Sequence, residues 1–150
     1  MLDHGKTAVS IIAAYKAVKS GYQVAVMAPT AILSKQHLKN FEGLLSNFNI
    51  KCELLVSGIP KKQKEDILKR LSNGEIDVLI GTHSLLEENV VFKNLGLVVT
   101  DEQHRFGVRQ RSTLNSKGEN PDVLVMTATP IPRTLALILY GDLDISIIDE

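Results

Sequence analysis

The chain has 150 residues, of which 44% are hydrophobic and 23% are charged, as is usual for one soluble globular domain with a sizeable core. Its 17 basic and 17 acidic residues balance, so no net charge attracts nucleic acid or membrane, and any nucleic-acid contact must come from a local surface. The single cysteine, Cys52, excludes an intramolecular disulfide and fits a reducing compartment such as the cytoplasm. No apolar run is long enough to span a membrane.

Helical and extended patterns alternate along the chain. In chain order they predict a helix over residues 8–20, a strand over 23–28, a helix over 31–48, a strand over 51–56, a helix over 61–71, strands over 76–80 and 95–100 separated by a short helix over 84–88, a helix or ordered loop over 103–114, a strand over 122–126, a helix over 132–140 and a strand over 145–148. This alternation predicts an α/β fold with a mostly parallel sheet covered on both faces.

The apolar residues of the first two helices predict which helix faces are buried. In the first helix they are Val9, Ile12, Ala13 and Ala17, and in the second they are Ile32, Leu33, Leu38, Phe41, Leu44 and Leu45. Cys52 is expected to be a small buried hydrophobe in a strand. The basic cluster Lys61, Lys62 and Lys64 is interpreted as a solvated helix face, with phosphate contact as the alternative.

Polar clusters follow four of the predicted strands. They are Pro29-Thr30, Gly81-Thr82-His83, Asp101-Glu102 and Thr127-Ala128-Thr129. The carboxyl ends of parallel strands lie along one edge of a sheet, and ligands bind beyond that edge in open α/β folds. Two adjacent carboxylates at such an end suit metal and water chemistry, and an acidic helix cap is the alternative.

The tripeptide Gly5-Lys6-Thr7 stands at the start of the first predicted helix and matches the second half of a phosphate-binding P-loop. Gly5 would let the backbone approach phosphate, Lys6 would reach the β- and γ-phosphates, and Thr7 would ligate Mg²⁺. A chance helix start is an equally good interpretation of so short a motif. Asp3 would also place a negative charge near the phosphates.

Together, these motifs resemble those of superfamily 2 helicases in order and spacing. The strings AVMAPTAILSKQH, IGTHSLLEENVVF, DEQHRFGVRQR and MTATPIPRTLAL look like the first RecA-like motor domain of the bacterial RecG branch-migration helicases, and the resemblance covers nearly the whole chain. Transcription-repair coupling translocases share the HRFGV and TATPIPRTL strings. They typically have Glu where this chain has Gln103, which favours the RecG type.

The resemblance implies a three-layer RecA-like P-loop NTPase fold and an ATP- and Mg²⁺-dependent motor that remodels branched or duplex DNA, such as replication forks and Holliday junctions. By this resemblance Lys6, Asp101 and Glu102 are the catalytic candidates, with Thr7 and Asp101 holding Mg²⁺ and Glu102 activating water. Gly5, Lys6, Thr7, Gln103 and His104 would bind the nucleotide. The DNA-binding or coupling candidates are Pro29, Thr30, Gly81, Thr82, His83, Thr127, Ala128, Thr129 and Arg133. Without the resemblance, His104 would be a loop hydrogen-bond partner, Thr127 and Thr129 turn hydroxyls, and Arg133 a surface ion-pair residue.

The chain begins inside the P-loop, and the family's strand before this loop, its wedge domain and its second motor domain are not in the sequence. In relatives the second motor domain supplies arginine fingers, whose loss can reduce the rate by ~10³–10⁵. We therefore expect a fragment with a gap or exposed edge in its sheet and little ATPase activity alone. The alternative is a non-catalytic nucleotide- or DNA-interaction module with a degenerate P-loop, which Asp3 and His4 favour.

Overall fold

The computed structural model describes residues 3–101 and 108–126, with side chains described for 7–101 and 112–126. In chain order the elements are α1 (Asp3–Lys19), β1 (Gln23–Met27), α2 (Ala31–Leu45), a 3₁₀ helix (Ser46–Phe48), β2 (Cys52–Leu55), α3 (Lys61–Ser72), β3 (Val78–Gly81), a second 3₁₀ helix (His83–Leu86), β4 (Leu95–Asp101), α4 (Val108–Asn115) and β5 (Gly118–Met126). The helix predicted over 132–140 and the strand predicted over 145–148 lie outside the described residues.

The strands form one sheet in the order β2-β3-β1-β4-β5, and every described pairing is parallel. The prediction of a mostly parallel α/β sheet is therefore confirmed. Met27 pairs with Gly81 on one side and with Thr100 on the other, while Asp101 pairs with Met126. The carboxyl ends of four strands consequently lie at one level, which is called the carboxyl edge below.

Apolar side chains cover both faces of the sheet, which gives the three layers. One buried cluster joins the sheet to α1 and α2 through Ile11, Ala14, Phe41 and Leu45, and this side is called the α1–α2 face. The opposite cluster joins the sheet to α3 and α4 through Ile67, Leu71 and Leu114. Successive strand residues alternate between these clusters, as the pleat of a strand requires.

The predicted buried face of α1 is only partly correct, because Ala13 and Ala17 pack against the cluster of the α1–α2 face but Ile12 does not. Ile12 is 56% exposed, whereas Ser10, Ile11 and Ala14 are buried. Ile11 and Ile12 are adjacent apolar residues, so helical periodicity fits either one. The small Ala14 then places the Ile11 side against the sheet, because a small side chain lets a helix approach closely.

The predicted face of α2 also needs correction. Phe41 and Leu45 are buried as expected, but Ile32 is 71% exposed and the remaining buried residues of this helix are Ser34 and His37. The buried residues follow the spacing of one helical face. Two polar side chains therefore occupy positions that the apolar pattern assigns to hydrophobic residues.

The sheet is continuous across the described strands, because β4 pairs with both β1 and β5. The expected gap is therefore absent from this part of the chain. Among the described strands β5 forms one edge, and several of its residues are partly or fully exposed. This corresponds to the exposed-edge alternative, a feature that can pair with a further strand.

Candidate nucleotide and nucleic-acid site

Seven of the predicted site residues lie outside the described residues, so the site is built here from the others. Those outside are Glu102, Gln103, His104, Thr127, Ala128, Thr129 and Arg133. The described candidates are the backbone of Gly5 and Lys6, together with Thr7, Pro29, Thr30, Gly81, Thr82, His83 and Asp101. Apart from the α1 residues, each described candidate is the last residue of a parallel strand or lies within three residues after one.

Helix α1 brings the Gly5-Lys6-Thr7 motif to the carboxyl edge. The helix begins at Asp3, so the motif forms its first turns rather than preceding it. The chain leaves α1 through a tight turn, in which Gly21 has a φ of 95°, and enters β1 at Gln23. Since α1 ends where β1 begins, its first turn lies toward the opposite edge, where β1 ends. Helix N-termini favour anions because their N–H groups lack intrahelical acceptors.

Asp101 is the last residue of β4, and its side chain lies on the same face of the sheet as α1. Leu97 and Val99 belong to the cluster of the α1–α2 face, whereas Val98 belongs to the opposite one. Alternation along the strand therefore directs Asp101 to the α1–α2 face. The topology therefore places Thr7 and Asp101 on the same face of the sheet and toward the same edge.

A buried histidine contacts this carboxylate. His37 Nε2 lies 3.0 Å from Asp101 Oδ2, and the two residues are 8% and 5% exposed. A carboxylate oxygen accepts hydrogen bonds, and the Nε2–H tautomer of His37 would donate one to it. Sequence reasoning missed His37; the signal was its spacing from Phe41 and Leu45, which places it on the buried face of α2.

Thr30 fixes the start of α2. Its side-chain Oγ1 accepts a hydrogen bond from the backbone N–H of Leu33 at 3.1 Å, which is an N-cap. The Thr30 side chain is exposed at the carboxyl edge, and Pro29 before it is half-buried. The predicted DNA-binding pair therefore also has a structural role, because it determines where α2 leaves the sheet.

Gly81 and Thr82 have structural roles at the end of β3. A Cβ on Gly81 would lie 2.0 Å from the backbone oxygen of Leu55, so only glycine fits between β2 and β3. The Thr82 hydroxyl is buried and caps the following 3₁₀ helix by accepting from Ser84 N at 3.4 Å. His83 is exposed. Of these three residues, His83 is therefore the one whose side chain solvent and ligands can reach.

Two lysine side chains bind the loop over residues 87–90. Lys64 Nζ lies 2.6 Å from Glu87 Oε1, whereas Lys61 and Lys62 are exposed. Lys117 Nζ donates to the backbone oxygens of Glu87 and Val90 at 2.9 and 2.8 Å. Burial lowers the pKa of Lys117, whereas the negative charge of Glu88 acts to raise it. The loop over 87–90 is therefore held by two lysines.

The thiol of Cys52 is unsuited to nucleophilic chemistry. Burial, and then the charges of Glu42, Asp77 and Glu53, raise its pKa to about 12. The thiol therefore stays protonated near neutral pH, and a protonated thiol is a poor nucleophile and a poor metal ligand. Its placement in β2, half-buried against the cluster of the α1–α2 face, confirms the structural role expected from the sequence.

The oxygen donors at the carboxyl edge suit a Mg²⁺ ion shared with a nucleotide better than they suit a metal ion held by protein side chains alone. The described residues contain no group of three His, Cys, Asp or Glu side chains that could hold a metal. Mg²⁺ commonly takes one or two protein oxygens and completes its coordination with water and nucleotide phosphates. The Thr7 hydroxyl and the Asp101 carboxylate match that donor set. No helix among the described residues could cross a membrane.

Comparison with known proteins shows the family to which the chain belongs. A family model described as DEAD/DEAH box helicase matches residues 4–138. The chain is 54% identical over 146 residues to the ATP-dependent DNA helicase RecG of Bacillus subtilis (strain 168) and 55% identical over 148 residues to that of Aquifex aeolicus (strain VF5). Each alignment covers 97% of the chain but only 21% and 19% of the two relatives. The chain thus spans about a fifth of their length.

The fold is also found in solved structures. A structure of RecG bound to a three-way DNA junction matches with a TM-score of 0.79 and 50% identity, over 97% of this chain and 19% of that one. The helicase MrfA bound to DNA matches with a TM-score of 0.68 over 91% of this chain and 20% of that one. Its 18% identity supports similarity of fold alone. These comparisons confirm the resemblance to RecG-type helicases that the motifs indicate.

Proposed function

Since the chain belongs to the DEAD/DEAH box helicase family, we propose that it is the first motor domain of an ATP-dependent DNA helicase of the RecG type. The observation that carries the proposal is the convergence of two elements at the carboxyl edge. The first turns of α1 bring Thr7 to the same face and edge of the sheet at which β4 ends in the buried Asp101. This is the arrangement that binding of a nucleotide and its metal ion requires.

The protein groups divide the chemistry of phosphoryl transfer. Lys6 would neutralise the β- and γ-phosphates, while Thr7 and Asp101 would hold Mg²⁺, either directly or through water. When bound, Mg²⁺ would compensate the charge that develops on the transferred phosphoryl group. Glu102 would orient the attacking water and accept its proton. Placing these groups accounts for most of the catalysis, since phosphoryl transfer depends chiefly on positioning and charge stabilisation.

DNA would be contacted along the same carboxyl edge. The RecG structure bound to a three-way DNA junction supports branched DNA as the substrate. On this chain, exposed His83 and Thr30 are the described side chains best placed for such contacts. Phosphate contacts carry no sequence information, which suits a protein that moves along DNA. Coupling between nucleotide and DNA is assigned to Gln103, His104, Thr127, Ala128, Thr129 and Arg133.

Full activity would need the other parts found in the family. The second motor domain would close the nucleotide site with its arginine fingers, and the wedge domain would grip the branch point. In this proposal the protein acts in the cytoplasm, and this chain alone hydrolyses ATP slowly. The alternative, a non-catalytic nucleotide- or DNA-interaction module with a degenerate P-loop, predicts no nucleotide binding that depends on Lys6.

Titration with a fluorescent ATP analogue distinguishes these functions. We expect N-methylanthraniloyl-ATP with Mg²⁺ to bind the chain saturably, and we expect Lys6→Ala to abolish binding. Lys16→Ala is the matched control, because Lys16 is an exposed lysine in the last turn of the same helix. Equal binding by wild type and Lys6→Ala, or no binding by wild type, would refute the proposed function.

A further inference from the structure

We propose that His37 is a positioning residue that holds the Asp101 carboxylate in the orientation needed to bind Mg²⁺. The inference rests on the proposed function, because it assigns a task to Asp101 at the nucleotide site. It concerns a residue in α2 that is 64 positions away from Asp101 in sequence. None of the motifs read from the sequence assigns His37 a role.

The contact between the two side chains is short and shielded from water. Nε2 and Oδ2 are 3.0 Å apart, and the side chains are 11% and 7% exposed. Hydrogen bonds to an ionised group are stronger than neutral ones, and exclusion of water strengthens them further. The terminal torsion of an aspartate is broad in the absence of such contacts. A fixed donor at Oδ2 therefore selects one carboxylate orientation at the end of β4.

Helix α2 presents the imidazole from a defined position. The helix is capped at Thr30 and anchored on the sheet by the buried Phe41 and Leu45, which lie four and eight residues after His37. The ring therefore approaches Asp101 from the packed helix rather than from a loop. Supporting groups placed on rigid elements hold a site more accurately than groups on loops do.

The environment of His37 argues against a purely stabilising role. Its Nδ1 is buried and has no hydrogen-bond partner within the described part of the chain. A buried polar atom without a partner costs free energy, and an apolar side chain at this position of α2 would avoid that cost. Leu38 and Phe41 show that the same helix supplies apolar residues to this layer. The hydrogen bond to Asp101 is the interaction that leucine could not replace.

Groups that orient a metal-binding carboxylate leave a measurable signature. Removing such a supporting hydrogen bond typically lowers metal affinity by about 10–100-fold. We therefore expect His37→Leu to raise by this factor the Mg²⁺ concentration that half-saturates the enhancement of N-methylanthraniloyl-ATP binding. Binding of the same nucleotide in EDTA should be unchanged, because the phosphate contacts proposed for Lys6 do not depend on the orientation of Asp101.

Two further variants separate positioning from packing. His37→Gln keeps a side-chain N–H donor, so it should recover part of the Mg²⁺ response. Ile67→Val loses buried volume in α3, on the opposite face of the sheet and away from the hydrogen bond, so it should lower the melting temperature but leave the Mg²⁺ midpoint unchanged. A His37→Leu midpoint equal to that of wild type, measured on folded protein, would overturn the positioning role alone. Failure of wild type to bind nucleotide would overturn the proposed function as well.

A measurement on the wild-type protein covers the case in which His37 variants fail to fold. Two-bond ¹H–¹⁵N correlation spectra of the imidazole ring identify which nitrogen is protonated. We expect a protonated Nε2 with a slowly exchanging hydrogen, as donation to a buried carboxylate requires. An Nδ1–H tautomer with an unprotonated Nε2 would contradict the proposal, because that ring could not donate to Asp101.

Discussion

Gln23 offers a direct test of how the sheet is joined to its surroundings. Its side chain is buried at the start of β1, at the edge of the sheet opposite the candidate site. The amide nitrogen donates to the backbone oxygens of Leu71 and Ile76 at 3.0 and 2.8 Å, and the amide oxygen accepts from Asn94 N at 2.9 Å. One side chain therefore connects the end of α3 and the segments that precede β3 and β4.

The free-energy cost of Gln23→Leu depends on the backbone groups that lose their hydrogen bond to the Gln23 side chain. The Leu71 oxygen still accepts a hydrogen bond from Gly74 N at 3.1 Å. The main cost therefore comes from the Ile76 oxygen and the Asn94 N–H, which lose their hydrogen bonds to Gln23. Leaving a buried backbone group without a partner costs about 1–3 kcal/mol. We expect the free energy of unfolding to fall by about 2–4 kcal/mol, since leucine burial offsets little of this loss. For a chain of this size, in which 1 kcal/mol shifts the melting temperature by about 2–4 °C, this temperature should fall by about 4–16 °C.

Urea unfolding followed by circular dichroism measures this change. Gln63→Leu is the matched control, because Gln63 lies in the exposed part of α3, where a substitution should change stability by less than about 0.5 kcal/mol. Nucleotide affinity of folded Gln23→Leu should equal that of wild type, because the site lies at the other edge. A loss no larger than that of the control would refute the account of Gln23.

Four further substitutions test other features of the structure. Gly81→Ala should destabilise the chain by roughly 1–3 kcal/mol, because the new Cβ would lie 2.0 Å from the Leu55 oxygen. Gly43→Ala should instead stabilise the chain by up to about 1 kcal/mol, because Gly43 lies in an open part of α2. Thermal melts measure both changes. Cys52, whose pKa is raised to about 12, should resist iodoacetamide at pH 8 until urea is added. The pKa of Cys52 is higher in the folded than in the unfolded protein, so its protonated thiol contributes its full stabilisation at neutral pH. This contribution is lost as pH rises above about 9. The free energy of unfolding of Cys52→Ala should therefore decline less steeply at alkaline pH. Arg70→Met should cost no more than about 1 kcal/mol, and the loss should shrink in 1 M NaCl, because its ion pairs are partly exposed.

The sequence was sufficient for the architecture because the relevant signals are local. Each described strand was predicted within a few residues of its observed bounds, and the described polar residues Pro29-Thr30, Gly81-Thr82-His83 and Asp101 lie at or just after the carboxyl ends of strands, as predicted. β5 begins at Gly118, four residues before its predicted start, because the polar residues there gave no extended apolar pattern. Strand ends in a parallel sheet align once the alternation with helices is recognised.

Helix orientation and the contact between α2 and β4 could not be predicted in the same way. Periodicity cannot choose between Ile11 and Ile12, because the choice depends on the packing of α1 on the sheet. His37 is polar, so apolar patterning assigns it to solvent. Its burial becomes intelligible only when folding brings Asp101 to the same side, 64 residues away.

The most direct test of the central claim is calorimetric titration of the wild-type chain and Asp101→Asn with N-methylanthraniloyl-ATP, with Mg²⁺ and with EDTA. The substitution preserves the size of the side chain but removes the negative charge that attracts the metal. We expect equal affinities in EDTA, and we expect Mg²⁺ to increase the affinity of wild type by about tenfold or more but not that of Asp101→Asn. The same gain in both proteins would contradict a metal-binding role for Asp101 and the nucleotide site built around it.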